Sequence, residues 1–326
     1  MDTTRSAASF AVASVIAATC ATALAQPQAY PVKPIRLIIL STPASGPDIV
    51  GRLMGARLTE AWGQQVIIDS RPGASGIIGA EIAARAAPDG YTLTIATTQA
   101  AIVSVMFDKL QFDLVKDFAP ISLMASTPFL LVVNPSVPAN SIADLIALAK
   151  SKPGDLRYGS GGSGSPPHLS AELFKSLSGI DIQHVPYKGV TPALMDTIAG
   201  QVHMTISVVP AVLASMRSGR VRALGITSAK RSQVVPEVAA IAETLPGFEY
   251  IGWYALLAPA KTPASIVGRL NGEVVNALKS TAVRERLSEL GAEPIGSTVQ
   301  EVTAFIPAQM ARIRELVKLS GAKADR

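Results

Sequence analysis

Apolar runs alternate with amphipathic ones along most of the chain. Residues 35–40 are apolar but for Arg36 and read as a buried parallel strand. The run stops at Ser41-Thr42-Pro43-Ala44-Ser45-Gly46-Pro47-Asp48, and a helix follows over 49–62 with Val50, Leu53, Met54 and Leu58 on one face. The pattern then gives a strand at 66–68, a turn at 71–76, a helix over 77–86 stopped by Pro88-Asp89-Gly90, and a strand over 91–96 that ends at Thr97-Thr98-Gln99. Residues 118–133 hold two strand-like runs split by Thr127-Pro128. Ser141 and Asp144 have the form of a capping box and open a helix to Lys150. Strands follow at 155–158, 182–186, 202–209 and 221–228, another lies within 249–259, and the chain then becomes mainly helical over 265–279, 283–290 and 299–319. Strand alternating with helix predicts an α/β sheet with right-handed crossovers. Ligands of such sheets sit beyond the carboxyl ends of the strands, which groups Thr42, Ser45, Thr97 and Thr98. Ordinary turn chemistry is the competing explanation for each of them.

The stretch Tyr158-Gly159-Ser160-Gly161-Gly162-Ser163-Gly164-Ser165-Pro166-Pro167-His168 joins a strand to a helix. Glycines let backbone approach a ligand closely, and prolines suit a first helical turn. The result is a helix N-terminus ringed by serine hydroxyls, either an anion site or a flexible turn. The loop matches G-x-G-x-x-G, but no carboxylate closes the next strand, so a dinucleotide fingerprint is incomplete. No Gly-Lys-Ser/Thr follows, which removes the phosphate-binding P-loop.

Composition narrows the classes. Of 326 residues, 48% are hydrophobic and 16% charged, enough for two globular lobes. The net charge of +5 is spread without a basic run and aromatics are only 5%, which argues against a nucleic-acid partner. Residues 1–25 read as a signal peptide: Arg5, an apolar stretch from Ala7 to Ala18, then Ala23-Leu24-Ala25, with cleavage expected before Gln26. The single cysteine, Cys20, falls inside that segment, so the mature chain has no cysteine for disulfide, thiol or metal chemistry. The implied location is periplasmic.

The three histidines, His168, His184 and His203, lack metal-ligand spacing, and no metal or cofactor is expected. His184 and His203 read as structural residues of strands. His168, at the helix start, either donates to a ligand carboxylate or serves packing. Asp48 either caps its helix or meets a ligand ammonium. Lys188 is either a ligand counter-charge or a solvated loop residue. An exported small-ester hydrolase would have to use Ser163 or Ser165 with His168.

Several runs in order carry a family resemblance: Tyr30-Pro31-x-Lys33-Pro34-Ile35, Arg71-Pro72-Gly73-Ala74-x-Gly76, Pro88-Asp89-Gly90-Tyr91-Thr92-Leu93, Lys116-Asp117-Phe118-Ala119-Pro120, the Tyr158–His168 loop, His184-Val185-Pro186-Tyr187-Lys188-Gly189, and Val221-Arg222-Ala223-Leu224. The chain resembles the Bug family, the extracytoplasmic solute receptors of tripartite tricarboxylate transporters. The resemblance implies a non-enzymatic, two-lobed, type II-like Venus flytrap fold that pinches a carboxylate-bearing solute between lobes. It places lobe 1 at 30–124 and 229–326 and lobe 2 at 125–228. By matching position it implies ligand contacts from Thr42, Pro43, Ala44, Ser45 and Asp48, from Thr97 and Thr98, from Ser160, Gly161, Ser163, Gly164, Ser165 and His168, and from Tyr187 and Lys188. The implied partner is a membrane permease, or a sensor kinase, served by a monomer. The first loop departs from the family's glycine-rich form at Ser41-Thr42-Pro43-Ala44-Ser45, and Met204-Thr205-Ile206-Ser207 lacks the family's frequent aspartate.

Overall fold

The computed structural model describes residues 30–107 and 109–323, so the expected signal peptide, with Arg5, Cys20 and the cleavage point, lies outside the described residues. The chain begins β1 (Ile35–Ile39), α1 (Gly46–Trp62), β2 (Val66–Ser70), α2 (Ile77–Ala84), β3 (Thr92–Thr97), α3 (Thr98–Met106) and β4 (Phe118–Val133). Next come α4 (Ile142–Ser151), β5 (Arg157–Ser160), α5 (Pro166–Ser178), β6 (Gln183–Pro186), α6 (Val190–Ile198), β7 (Met204–Val208), α7 (Val209–Arg217) and β8 (Arg222–Ile226). The return comprises α8 (Ile241–Thr244), β9 (Ile251–Pro259), α9 (Ala264–Lys279), α10 (Thr281–Glu289), β10 (Glu293–Pro294) and α11 (Val299–Ser320).

Strand order runs β2-β1-β3-β9-β4-β7-β5-β6, with β8 and β10 added against β4. β1, β2 and β3 are parallel, as are β5, β6 and β7, while β9 and β4 run antiparallel to their neighbours. The two parallel groups are the sheets of a two-lobed α/β fold. In each, the strand that opens the unit lies between the next two, so helices leave on both sides and a crevice forms at the carboxyl ends.

β4 links the groups. Up to Pro128 it pairs with β9, and from Phe129 it pairs with β7 and β8. The expected break at Thr127-Pro128 is therefore a change of partner within one strand. Proline, which cannot donate, is tolerated at that handover, and Phe129 N–H donates to the Thr227 hydroxyl at 2.8 Å. α3 escaped the sequence pattern because Ala100, Ala101, Ile102 and Val103 are consecutively buried, leaving no amphipathic period. α1 starts at Gly46, earlier than expected, with Ser45 in the cap position and Asp48 inside the first turn. β7 starts at Met204, so His203 lies just before the strand.

One apolar cluster runs through both groups, including Ile38, Trp253, Leu131, Phe174 and Ile306. Helix α11, opened by a Thr298–Glu301 capping box, packs on α3, α5 and β4 and so braces both groups.

Candidate functional site

The carboxyl end of β1 folds into a tight loop. The Thr42 carbonyl accepts from the Ser45 N–H at 3.3 Å and from the Ser45 hydroxyl at 2.7 Å, and the Ser41 and Ser45 hydroxyls lie 2.7 Å apart. Ala44 occupies the left-handed region at φ 63°, and its N–H donates to Asp48 at 3.0 Å. That carboxylate is buried, its side chain only 2% exposed. It also accepts from Arg52 Nε at 2.9 Å, Arg52 Nη2 at 3.2 Å and the Ser70 hydroxyl at 3.0 Å. The Arg52 hydrogen bonds hold the Asp48 carboxyl below the usual carboxylate range, outweighing the opposing effect of burial. Asp48 thus faces its own helix and β2, and with Pro43, Ala44 and Arg286 it lines a separate surface groove.

The end of β3 lies beside this loop. The Thr97 hydroxyl caps α3 by accepting from Ala100 N–H at 3.3 Å, and the buried Thr98 hydroxyl accepts from Trp253 N–H at 2.9 Å. Ser41, Thr42, Thr97, Gln99 and the turn Pro72, Gly73, Ser75, Gly76 enclose a pocket of about 340 Å³. Its named lining contains hydroxyls, an amide and backbone but no charged side chain. The turn is the part that sequence reasoning missed. Its signal was present in the glycine-rich Arg71–Gly76 run, and the structure holds Ala74 at φ 45° and Ser75 at φ 55° between two glycines of positive φ. Strained backbone of this kind persists where surrounding structure fixes it, commonly at ligand sites.

Ala44 carries similar strain on a side chain that is exposed. The left-handed region costs an L-residue about 1–2 kcal/mol, and glycine loses about 0.5–1 kcal/mol of chain entropy on ordering. Ala44→Gly is therefore expected to raise the stability measured by urea unfolding modestly, by about 0–1.5 kcal/mol. A lowered midpoint would show that the alanine methyl packs favourably.

The second parallel group builds its own cluster. Ser160 is buried at the end of β5; its hydroxyl meets His184 Nε2 at 2.6 Å, and its carbonyl accepts from Tyr187 N–H at 3.1 Å. Gly161 lies against Val190 at the start of α6, so the glycine loop and the Tyr187–Lys188 loop are neighbours. Gly164 sits at φ 71° with no room for a side chain, since a methyl there would lie 2.4 Å from Met106 Sδ. Its N–H donates to His168 Nδ1 at 3.0 Å. The Ser165 hydroxyl caps α5, accepting from His168 N–H at 3.4 Å, while Ser163 is exposed. The Tyr187 phenol donates to Asp196 at 2.7 Å, and burial pushes its pKa up to about 12. Lys188 is exposed.

The rings of Tyr158, His184 and His168 pack nearly parallel in one cluster, the two imidazoles 4.0 Å apart. Glu172 accepts from the Tyr158 hydroxyl and pairs with Lys175. Burial lowers the pKa of His168 and takes that of His184 down to about 4. With Nδ1 accepting, neutral His168 carries its proton on Nε2. The hydrolase alternative lacks its geometry: His168 is engaged with Gly164, Ser165 is a helix cap, and no bond joins either serine hydroxyl to the imidazole among the described residues.

Residues 50–322 match the family model described as the tripartite tricarboxylate transporter family receptor. The protein BugT of Bordetella pertussis is 36% identical over 297 residues, covering 90% of this chain and 91% of its own length. Among solved structures, R. palustris Rpa4515, solved with adipate, is 38% identical with a TM-score of 0.76, over 90% of this chain and 99% of its own. MatC from Rhodopseudomonas palustris, solved with bound malate, is 31% identical with a TM-score of 0.71, over 88% of this chain and 100% of its own.

Proposed function

We propose that this chain, which belongs to the tripartite tricarboxylate transporter receptor family, is a periplasmic receptor that closes on a small carboxylate and delivers it to a membrane permease. The observation that carries this reading is the uncharged, hydroxyl-lined pocket at the starts of α1 and α3. A helix start offers unpaired N–H groups and a positive dipole end to an anion. Two relatives of the same fold, solved with adipate and with malate, agree in ligand chemistry.

The second group supplies the facing wall, with the N-termini of α5 and α6 and the Ser163 hydroxyl. Micromolar binding needs about 8 kcal/mol. A helix terminus gives an anion only about 0.3–2 kcal/mol. Hydrogen bonds to a charged group give about 1.5–3 kcal/mol each, so several from both walls are needed. Closure follows from that arithmetic, with lobe 1 at residues 30–124 and 229–326, lobe 2 at 125–228, and the hinge at the β4 change of partner. Thr42, Ser45, Thr97, Ser160, Gly161, Ser163, Gly164 and Lys188 belong to the loops facing the ligand. Thr98, Ser165, His168 and Tyr187 hold those loops in shape, and Asp48 holds the first loop from behind. The protein acts as a monomer, exported by the signal in residues 1–25.

Asp48 is committed to Arg52 and Ser70, so an amino group on the ligand gains no partner from it. A thermal-shift panel of adipate, malate, citrate, aspartate and glucose tests the reading on the chain from Gln26. Saturation at about 100 times the dissociation constant adds about 2.7 kcal/mol of stability. A shift with a carboxylate and none with glucose is expected. Refolded protein that shifts with glucose and with no carboxylate would refute the reading.

A further inference from the structure

Tyr254 lies where the elements framing the first pocket meet, although no motif marks it. β9 sets it directly opposite Thr97 of β3 and next to Ala125 of β4. Opposed residues of an antiparallel pair share one face of the sheet. The Tyr254 side chain therefore stands on the side where Thr97 caps α3 and lines the pocket. The phenolic oxygen also packs on the first turn of α1. A methyl group on Gly46 would sit 2.6 Å from that oxygen, closer than atoms tolerate. Residue 46 thus leaves room for a hydroxyl at the helix start because it has no Cβ.

Thr127, one residue before the β4 change of partner, lies close enough to the phenol to oppose the rise in its pKa. A phenol carries one O–H donor, and that hydrogen seeks an acceptor. Among the described residues no carbonyl or carboxylate is seen to take it. Tyr254 retains partial exposure. Burial raises the phenol's pKa, which keeps it a neutral O–H donor at ordinary pH.

We propose that Tyr254 donates its phenolic hydrogen to the ligand carboxylate at the N-terminus of α1 and is a specificity-determining residue of the receptor. This rests on the carboxylate-receptor reading given above. Its position adds a consequence. Tyr254 bridges the first loop, through Gly46, and the hinge crossing, through Thr127. A neutral donor there favours an ionised carboxylate over a carboxamide, whose oxygen is the weaker acceptor.

The test is calorimetric titration of adipate and malate into wild type, Tyr254→Phe and Gly46→Ala, with the unliganded melting temperature of each. Phenylalanine keeps the ring and its packing, so a purely structural tyrosine would leave affinity unchanged. Loss of one hydrogen bond to a charged group weakens binding about 10- to 100-fold. We expect that loss in Tyr254→Phe with little change in unliganded melting. Gly46→Ala displaces the phenol and should weaken the same ligand. Wild-type binding of either acid with Tyr254→Phe within twofold of it would overturn the inference and leave the receptor reading standing. Wild type binding neither these acids nor any other carboxylate of the panel would remove the receptor reading, and this inference with it.

Discussion

Lowering the pH from 7.5 to 4.5 should remove about 2.5 kcal/mol of folding stability through His184, one pKa unit being about 1.4 kcal/mol, with a further loss through the stacked His168. Burial lowers the pKa of His184 to about 4, and the neighbouring His168 adds repulsion; Glu172 opposes the shift and Lys175 reinforces it. His168 is lowered by burial as well. Both rings are neutral in the folded protein, while the unfolded chain takes up protons near pH 6.5. The folded state therefore binds fewer protons, and its advantage is complete above about pH 6.5. It drains away as the pH falls toward 4. His203, lowered mainly by burial and accepting from Arg157 N–H, adds to the same trend. Carboxylates held below their usual range, such as Glu243 at about 2, begin to lose their contribution below about pH 5, so the part of the window above pH 5 reports the histidines.

Guanidinium unfolding at closely spaced pH values measures this, with His184→Gln as the comparison. Glutamine cannot titrate, so its stability should change less steeply between pH 6.5 and 4.5. A wild-type midpoint that stays flat across that window would refute the neutral stack. The site should feel the same protonation. A protonated Nδ1 on His168 cannot accept from Gly164 N–H, and the glycine loop loses its tie to α5.

Asp48→Ala should cost about 3 kcal/mol, the low end of the range for breaking a buried ion pair, because the Arg52 side chain is half exposed and can rehydrate. The loss also leaves the Ser70 hydroxyl and the Ala44 N–H without their acceptor. The Ala44 bond fixes the strained corner of the first loop, so the pocket wall loosens along with the fold. Asp48→Asn keeps the shape and can retain the bond from Ala44 while surrendering the charge, and should cost less. Urea unfolding of the two variants at pH 7 decides the matter. Stability of Asp48→Ala within about 0.5 kcal/mol of wild type, the scale of ordinary surface substitutions, together with lost carboxylate binding, would return Asp48 to the ligand's side of the loop.

The α/β class, most elements and the family resemblance were legible in the residues alone. Buried parallel strands announce themselves as apolar runs such as 35–40, and turns as Pro88-Asp89-Gly90 or the glycine loop, because both depend on neighbours a few residues away. The prolines at 166 and 167 marked the start of α5 for the same reason. What depends on partners distant in sequence emerged only in the folded chain. α3 looked like a loop until four successive residues found apolar neighbours on both sides. The Thr127-Pro128 break vanished because β4 exchanges β9 for β7 and β8 at that point. His168 and Asp48, ligand candidates by type, turned toward Gly164 and Ser70. Tyr254, silent in the sequence, acquired Gly46, Thr97 and Thr127 as neighbours. Local period records which face of an element is apolar; the partner of a polar atom is fixed only when strands far apart in the chain are set side by side.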